Sequence, residues 1–302
     1  MTAQIIDGKK IAKSIRADIA ARAADMLRDK GVQPGLSVVL VGDNPASQIY
    51  VANKQKYAQK VGFKSDVYRL PATATQADVL QLVKRLNADA SVHGILVQLP
   101  LPPQIDMATV LLTIDPAKDV DGLHPHNVGL LSVGAPGLVP CTPLGCLRLI
   151  KSVRGDKLAG LNAVVIGRSN LVGKPMAQML MNEHCQVTTI HRQTQNPADV
   201  ARGADILVVA AGQMGLVRAD WVKPGATVID VGINTKPDGS LTGDVDFDAA
   251  QKIAAHITPV PGGVGPMTIA CLLDNTLKAA EMQIAAQPKN GPARIKSPKN
   301  GI

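Results

Sequence analysis

Residues 47–61 read SQIYVANKQKYAQKV, and at about 100° per residue most of their apolar positions fall into one arc. Ser47, Tyr50, Val51, Lys54, Tyr57, Ala58 and Val61 share that arc. Gln48, Ala52, Asn53, Gln55, Lys56, Gln59 and Lys60 lie opposite, with Ile49 the one bulky apolar exception. The pattern predicts an amphipathic helix that exposes Lys56 and Lys60 and turns Lys54 inward. A buried ammonium costs on the order of several kcal/mol unless paired, and burial lowers its pKa. Lys54 is therefore either a snorkelling stem or a working group at the mouth of a pocket.

Around that helix the chain alternates strand and helix periods. A helix is expected over 9–30, with Ile11, Ile15, Ile19, Ala23 and Leu27 as its apolar stripe and Gly31 as its stop. Strands are expected over 36–41, 67–70 and 94–99, with a helix over 76–87 between the last two. Repeated β and α units imply a parallel sheet. A Gly/Pro-rich connection, 121–143, leads to a second series. Its strands are expected over 162–166, 186–190, 206–211, 226–231 and 256–260, with a helix starting at Pro175, as in a Rossmann-like half-sheet. A last helix, 266–286, carries Ile269, Leu273, Leu277, Ala280 and Ile284 on one face and comes late enough to return to the first unit. The expectation is an α/β chain of two domains: a catalytic domain from 1–139 and 267–286, and a Rossmann-like domain from 140–266.

Composition narrows the chemistry. The 302 residues are 46% hydrophobic and 19% charged, as in a globular protein, and only 2% aromatic, which argues against stacking on single-stranded nucleic acid. The net charge is +8, but Lys289, Arg294, Lys296 and Lys299 sit in a Pro/Gly-rich end, 287–302, expected to be a disordered basic tail. The remainder, about +4, suits an acidic small molecule. Cys141, Cys146, Cys185 and Cys271 have no metal spacing and suggest free thiols in a reducing, cytoplasmic setting. No apolar signal core opens the chain, and Gly and Pro break the uncharged stretch 122–147, so no membrane span is expected.

Several loops carry candidate chemistry. GRSNLVGKP follows the strand at 162–166, with Gly167 and Gly173 permitting close approach of a pyrophosphate and Pro175 expected at the first helical position. The next strand ends in His191 and Arg192, where an NAD enzyme usually carries an acid for the ribose. Arg168 and Arg192 could converge on a 2′-phosphate, favouring NADP, or simply be surface arginines. Gln98 ends a buried strand, as a site residue or a strand cap. Asp121, in KDVDG with Asp119, fits either a site or a turn. Residues 259–268, PVPGGVGPMT, place three glycines beside three prolines, a pattern suited to close approach of a ligand. His124 and His126 have no third ligand in view, so no metal is expected. Cys141 lacks a neighbouring histidine and Ser169 a nucleophile elbow, which argues against covalent catalysis.

Together GDNPASQIYVANK, GILVQLPLP, KDVDGLHPHNVG, PCTPLGC, GRSNLVGKP, DWVKPGATVIDVGIN and PVPGGVGPMT resemble the bifunctional methylenetetrahydrofolate dehydrogenase/cyclohydrolases. The motifs run in order through residue 286. Ala52 and Leu130 depart from the basic residues common there, Leu130 at a possible domain contact. The resemblance implies NADP-dependent oxidation of 5,10-methylenetetrahydrofolate and hydrolysis of the product to 10-formyltetrahydrofolate in one cleft. It implies Lys54 as the catalytic lysine, tuned by Gln98, with Tyr50 along the aminobenzoyl group and Asp121 on the pterin. Ser47, Leu99, Pro261, Gly262 and Gly263 would also meet folate. Gly167, Arg168, Ser169, Gly173, Pro175, His191, Arg192, Ile233, Gly262, Gly263, Val264 and Thr268 would meet NADP. A homodimer is implied, and surplus lysines would suit a polyglutamylated substrate. Three alternatives remain at this level. One is a Rossmann amino-acid or shikimate-type dehydrogenase; another is a non-catalytic folate or nucleotide carrier; the third is nucleic-acid binding by the tail.

Overall fold

The computed structural model describes residues 2–286, so the expected basic tail lies outside the described residues. In chain order the first elements are β1 (Gln4–Ile5), α1 (Gly8–Lys30), β2 (Gly35–Val41), α2 (Pro45–Lys60), β3 (Lys64–Leu70), α3 (Gln76–Ala88), β4 (Gly94–Val97), α4 (Met107–Thr113) and α5 (Pro125–Ser132). There follow α6 (Cys141–Arg154), β5 (Asn162–Ile166), α7 (Gly173–Asn182), β6 (Gln186–Ile190), α8 (Pro197–Ala201), β7 (Ile206–Val209) and β8 (Thr227–Asp230). The hairpin β9 (Asn234–Thr235) and β10 (Leu241–Thr242), then α9 (Phe247–Ala250), β11 (His256–Ile257) and α10 (Val264–Ala286) complete the described chain.

Local chemistry sets these boundaries. The Asp7 side chain accepts from Lys10 N–H and starts α1, while Gly31, at φ 65°, stops it. A reciprocal capping box between Thr75 and Asp78 starts α3. Every residue of β2 is buried, as expected of the central strand of a parallel sheet covered on both faces. That sheet has the order β3-β2-β4, and β2 pairs in parallel with both neighbours.

The second sheet runs β1-β11-β8-β7-β5-β6, again parallel. Gln4–Ile5 thus pairs with His256–Ile257, placing the first strand in the second sheet although the segment precedes the first unit. A two-residue strand has no periodicity to reveal it. The Gly/Pro-rich connection holds α5 and the start of α6; Pro125 at the first turn and the His124 side chain, accepting from His126 N–H, begin α5. The two histidines thus meet in a helix cap. In α1 the buried stripe uses Met26, and Leu27 is exposed, a shift of one residue from the expected face.

Helix α10 joins both layers. Its Val264, Met267 and Ala270 pack with α6 and the second sheet, and its Leu272, Leu273 and Leu277 pack with β2 and with Ile19 and Ala23 of α1. The late helix therefore returns to the first unit as its pattern predicts. Leu130 packs over Gly137 within the link between the sheets.

Candidate active site

Helix α2 turns its buried face toward the C-terminal ends of β2 and β4, the side of a parallel sheet where ligands gather. Ser47, Val51, Lys54 and Ala58 are buried, and Ile49 is 64% exposed, as the wheel predicts. Lys54 is only 7% exposed, and its Nζ donates to Gln98 Oε1 at 2.8 Å. Gln98 lies just past β4; its Nε2 donates to Leu99 O at 2.7 Å, and its backbone N–H donates to Val39 O. The amide is therefore held with its oxygen toward the lysine, which has only donors to offer. Burial pushes the Lys54 pKa down, and the nearby Asp121 and Cys141 oppose that shift.

The two aspartates of KDVDG have separate tasks. Asp119 is buried and its Oδ2 accepts from His124 N–H at 2.8 Å and Asn127 Nδ2 at 2.9 Å, so it folds the turn. Asp121 faces the same cavity as Lys54, with no ion pair within 4 Å among the described residues. Burial raises its pKa, Lys54 lowers it, and Asp119 raises it further. Sequence left the turn and site readings open for Asp121; the turn belongs to its neighbour.

Lys54, Gln98 and Asp121 line a cavity of about 460 Å³ with Ser47, Tyr50 and Leu99. Its far wall is Leu171 and Val172, from the loop before α7, so the cavity opens between the two sheets. Cys141, Thr142 and Thr268 also face it, with 3.0 Å between the two threonine hydroxyls. Thr268 thus sits with the lysine, not with the other residues expected at the cofactor. Cys141 was legible only as part of PCTPLGC. Its burial holds the thiol pKa well above the usual value, so it serves the wall as a neutral group.

A second cavity of about 160 Å³ adjoins the first at Tyr50, which lines both. Pro261, Gly262, Gly263 and Val264 form it with Ile233, so these predicted residues come together. Lys9 and Asp230 face it too; Lys9, at the start of α1, had no local signal. Burial pushes Asp230 up to about 6 against the pull of three backbone N–H groups.

A third cavity, about 610 Å³, lies at the ends of β5, β6 and β7 and gathers Gly167, Arg168, Ser169, His191 and Arg192. Gly167 has φ 113°, and a Cβ there would run into Ala210 O, so only glycine makes this turn. Neither arginine has an acidic partner within 4 Å among the described residues. Ser169 Oγ accepts from Val172 N–H at 3.1 Å and Gly173 N–H at 3.4 Å. Because that hydroxyl already binds the leading amides, α7 starts at Gly173, two residues before the expected Pro175. Gly173 and Pro175 are buried in the turn and face none of the three cavities.

Similarity to known proteins also divides the chain in two, with most of α10 inside the second match. Residues 6–121 match the family described as tetrahydrofolate dehydrogenase/cyclohydrolase, catalytic domain, and residues 140–284 match its NAD(P)-binding domain. The bifunctional protein FolD of Nitrobacter hamburgensis is 57% identical over 284 residues, covering 93% of this chain and 96% of its own. The crystal structure of the bifunctional enzyme FolD, methylenetetrahydrofolate dehydrogenase/cyclohydrolase, from Campylobacter jejuni superimposes with a TM-score of 0.90 at 48% identity, covering 93% of this chain and 99% of that one. The Trypanosoma brucei N5,N10-methylenetetrahydrofolate dehydrogenase-cyclohydrolase, solved with NADP cofactor and inhibitor, gives 0.90 at 44% identity, covering 95% and 100%.

Proposed function

This chain belongs to the tetrahydrofolate dehydrogenase/cyclohydrolase family, and on that premise we propose which of its residues perform the two reactions. The chain is a bifunctional enzyme that oxidises 5,10-methylenetetrahydrofolate with NADP and hydrolyses the methenyl product to 10-formyltetrahydrofolate. The shikimate-type and carrier alternatives fall away, since both family domains are present with Lys54, Gln98 and Asp121 in one cavity.

In our reading, residues 6–139 and 267–286 form the folate-binding and catalytic part, and 140–266, whose sheet β1 joins, the cofactor part. Asp121 holds the pterin, Ser47 and Leu99 line its seat, and Tyr50 lies along the aminobenzoyl group. Tyr50 borders both the lysine cavity and the glycine-loop cavity, which supports a substrate that passes from one to the other. NADP suits the third cavity: two arginines without acid partners fit a 2′-phosphate, and the Gly167 turn leaves room beside a helix N-terminus. When bound, NADP supplies the hydride acceptor. The protein's share of the oxidation is orientation, with Gly262, Gly263, Val264 and Ile233 closing the space between the two ligands.

Hydrolysis needs a base. Water adds to the methenyl carbon and gives a proton to neutral Lys54; N5 then takes up a proton as its bond to that carbon breaks, the new hydroxyl loses its own proton, and the formyl group stays on N10, with one proton released overall. At an ordinary lysine pKa of about 10.4 the amine would be protonated near neutrality and unable to act. Burial lowers that pKa, and a cationic substrate lowers it further. Gln98 offers an acceptor without a charge, so it holds the amine while raising its pKa less than a carboxylate would. The observation that carries the reading is the buried Lys54 Nζ, 2.8 Å from Gln98 Oε1, inside a cavity bounded by both sheets.

Lys54→Met tests it. Cyclohydrolase turnover should fall by ~10²-fold or more, the usual contribution of a general base, and NADP reduction should fall far less. Full cyclohydrolase activity in that variant would contradict the assignment. We further propose that the enzyme works as a cytoplasmic homodimer and accepts polyglutamylated folate. No helix among the described residues is long and apolar enough to cross a membrane.

A further inference from the structure

Two buried aspartates without a cationic partner stand between the second and third cavities. Asp244 is fully buried; its Oδ2 accepts from Ala211 N–H and Gly212 N–H, both at 2.8 Å, and its Oδ1 accepts from Asn234 Nδ2 at 2.8 Å. Asp230 is 3% exposed; its Oδ1 accepts from Gly232 N–H at 3.0 Å and Asp244 N–H at 2.9 Å, and its Oδ2 accepts from Val245 N–H at 2.9 Å. Six donors thus meet two carboxylates, and five of the six are backbone amides. No lysine or arginine lies within 4 Å of either carboxylate among the described residues.

A carboxylate out of water is expensive unless its lone pairs are filled, and charge-assisted bonds to N–H are shorter and stronger than neutral ones. This arrangement accepts that cost twice, at the ends of β7 and β8. What it fixes is informative. Ala211 lines the cavity that holds Arg168 and Arg192, and Gly232 lines the one formed by Gly262 and Gly263. Asn234 starts the β9–β10 hairpin, which leads back to Asp244. A Cβ on Gly232 would run into the Asp244 carboxyl, and one on Gly243 into Asp230 Oδ2, so both glycines let carboxylate reach backbone.

We propose that Asp230 and Asp244 are positioning residues for the dinucleotide: a pair of linked carboxylates that sets the walls of the two cavities at one fixed spacing. The inference rests on the reading of the third cavity as the cofactor's seat and of the second as the space where cofactor and folate meet. Neither aspartate takes part in the chemistry, and Asp244 faces none of the three cavities. The lysine cavity, where water attacks, is built from other elements and should not feel the change.

The two activities of the same chain make the test. Asp244→Asn keeps the shape but replaces one acceptor by an NH₂ donor, which must face either the Ala211 and Gly212 amides or Asn234. The Michaelis constant for NADP should rise by roughly 10-fold, the size expected when buried hydrogen bonds are left unmade. Cyclohydrolase turnover, measured with methenyltetrahydrofolate and no NADP, should stay within about twofold of the wild type, far from the loss expected of a catalytic group. Asn234→Ala removes one of the six donors without burying a new group, and should raise the NADP constant by a few-fold even if Asp244→Asn does not fold. Equal losses in both activities, or an unchanged NADP constant in a folded Asn234→Ala protein, would overturn the proposal. Direct NADPH binding by the wild type separates the two readings: no binding would sink the cofactor assignment itself, whereas normal binding with unaffected variants would sink only the aspartate pair.

Discussion

The ε-amine of Lys54 sits where an ammonium is least comfortable, yet a neutral amide, not a carboxylate, is its hydrogen-bond partner. A carboxylate at that distance would hold the proton on and remove the base. Asp121 is near enough to influence Lys54 but makes no ion pair with it. The same scale governs the choice of cofactor. Arg192 is exposed, without an acid within 4 Å among the described residues, at the rim of the third cavity, and no acid stands at the end of β6 to read a ribose. Arg192→Asp should therefore raise the Michaelis constant for NADP by roughly 10- to 100-fold, the worth of one or two charge-assisted hydrogen bonds, and change that for NAD far less. Steady-state kinetics with both dinucleotides checks this; equal effects would show that Arg192 does not contact the phosphate.

At the scale of elements, α2 presents the chemistry and α10 holds the frame. Helix α2 was legible because one face carries the whole pattern, including the lysine that breaks it. Helices α4 and α5 were not legible: each is at most eight residues long, set among Gly and Pro that read as loop. The Asp230 and Asp244 pair also escaped, because four of its six bonds join residues 14 to 33 positions apart and no local spacing encodes them. For α10 the apolar face predicted the return correctly, since Leu273 and Leu277 are fully buried against α1 and β2. Leu273→Ala should destabilise the fold by ~2–5 kcal/mol, the cost of an apolar cavity, while both activities persist in the folded fraction. Denaturant unfolding followed by both assays tests that. Loss of only one activity, with unchanged stability, would mean that α10 serves the site and not the frame.

On the scale of the whole molecule, two sheets meet over one cleft and divide the work. In the proposed reading, one supplies a lysine, a glutamine and an aspartate for folate, and the other an arginine-rimmed cavity for NADP. The motifs marked the loops that line the cavities, since most of them fall at the ends of parallel strands. They did not reveal which residues face which cavity: Thr268 joins the lysine, while Gly173 and Pro175 shape a turn. That sorting depends on how the sheets are set against each other, through α6 and α10.

In the proposed mechanism, hydrolysis depends on the cleft keeping Lys54 short of its proton. A ¹³C NMR titration of the ε-carbon of Lys54, assigned by comparison with Lys54→Met, measures this directly beside the pH dependence of cyclohydrolase turnover. The account predicts a midpoint below the usual lysine value of about 10.4, with turnover rising through the same pH range as the amine loses its proton. A midpoint at or above that value, or turnover indifferent to the titration, would contradict it.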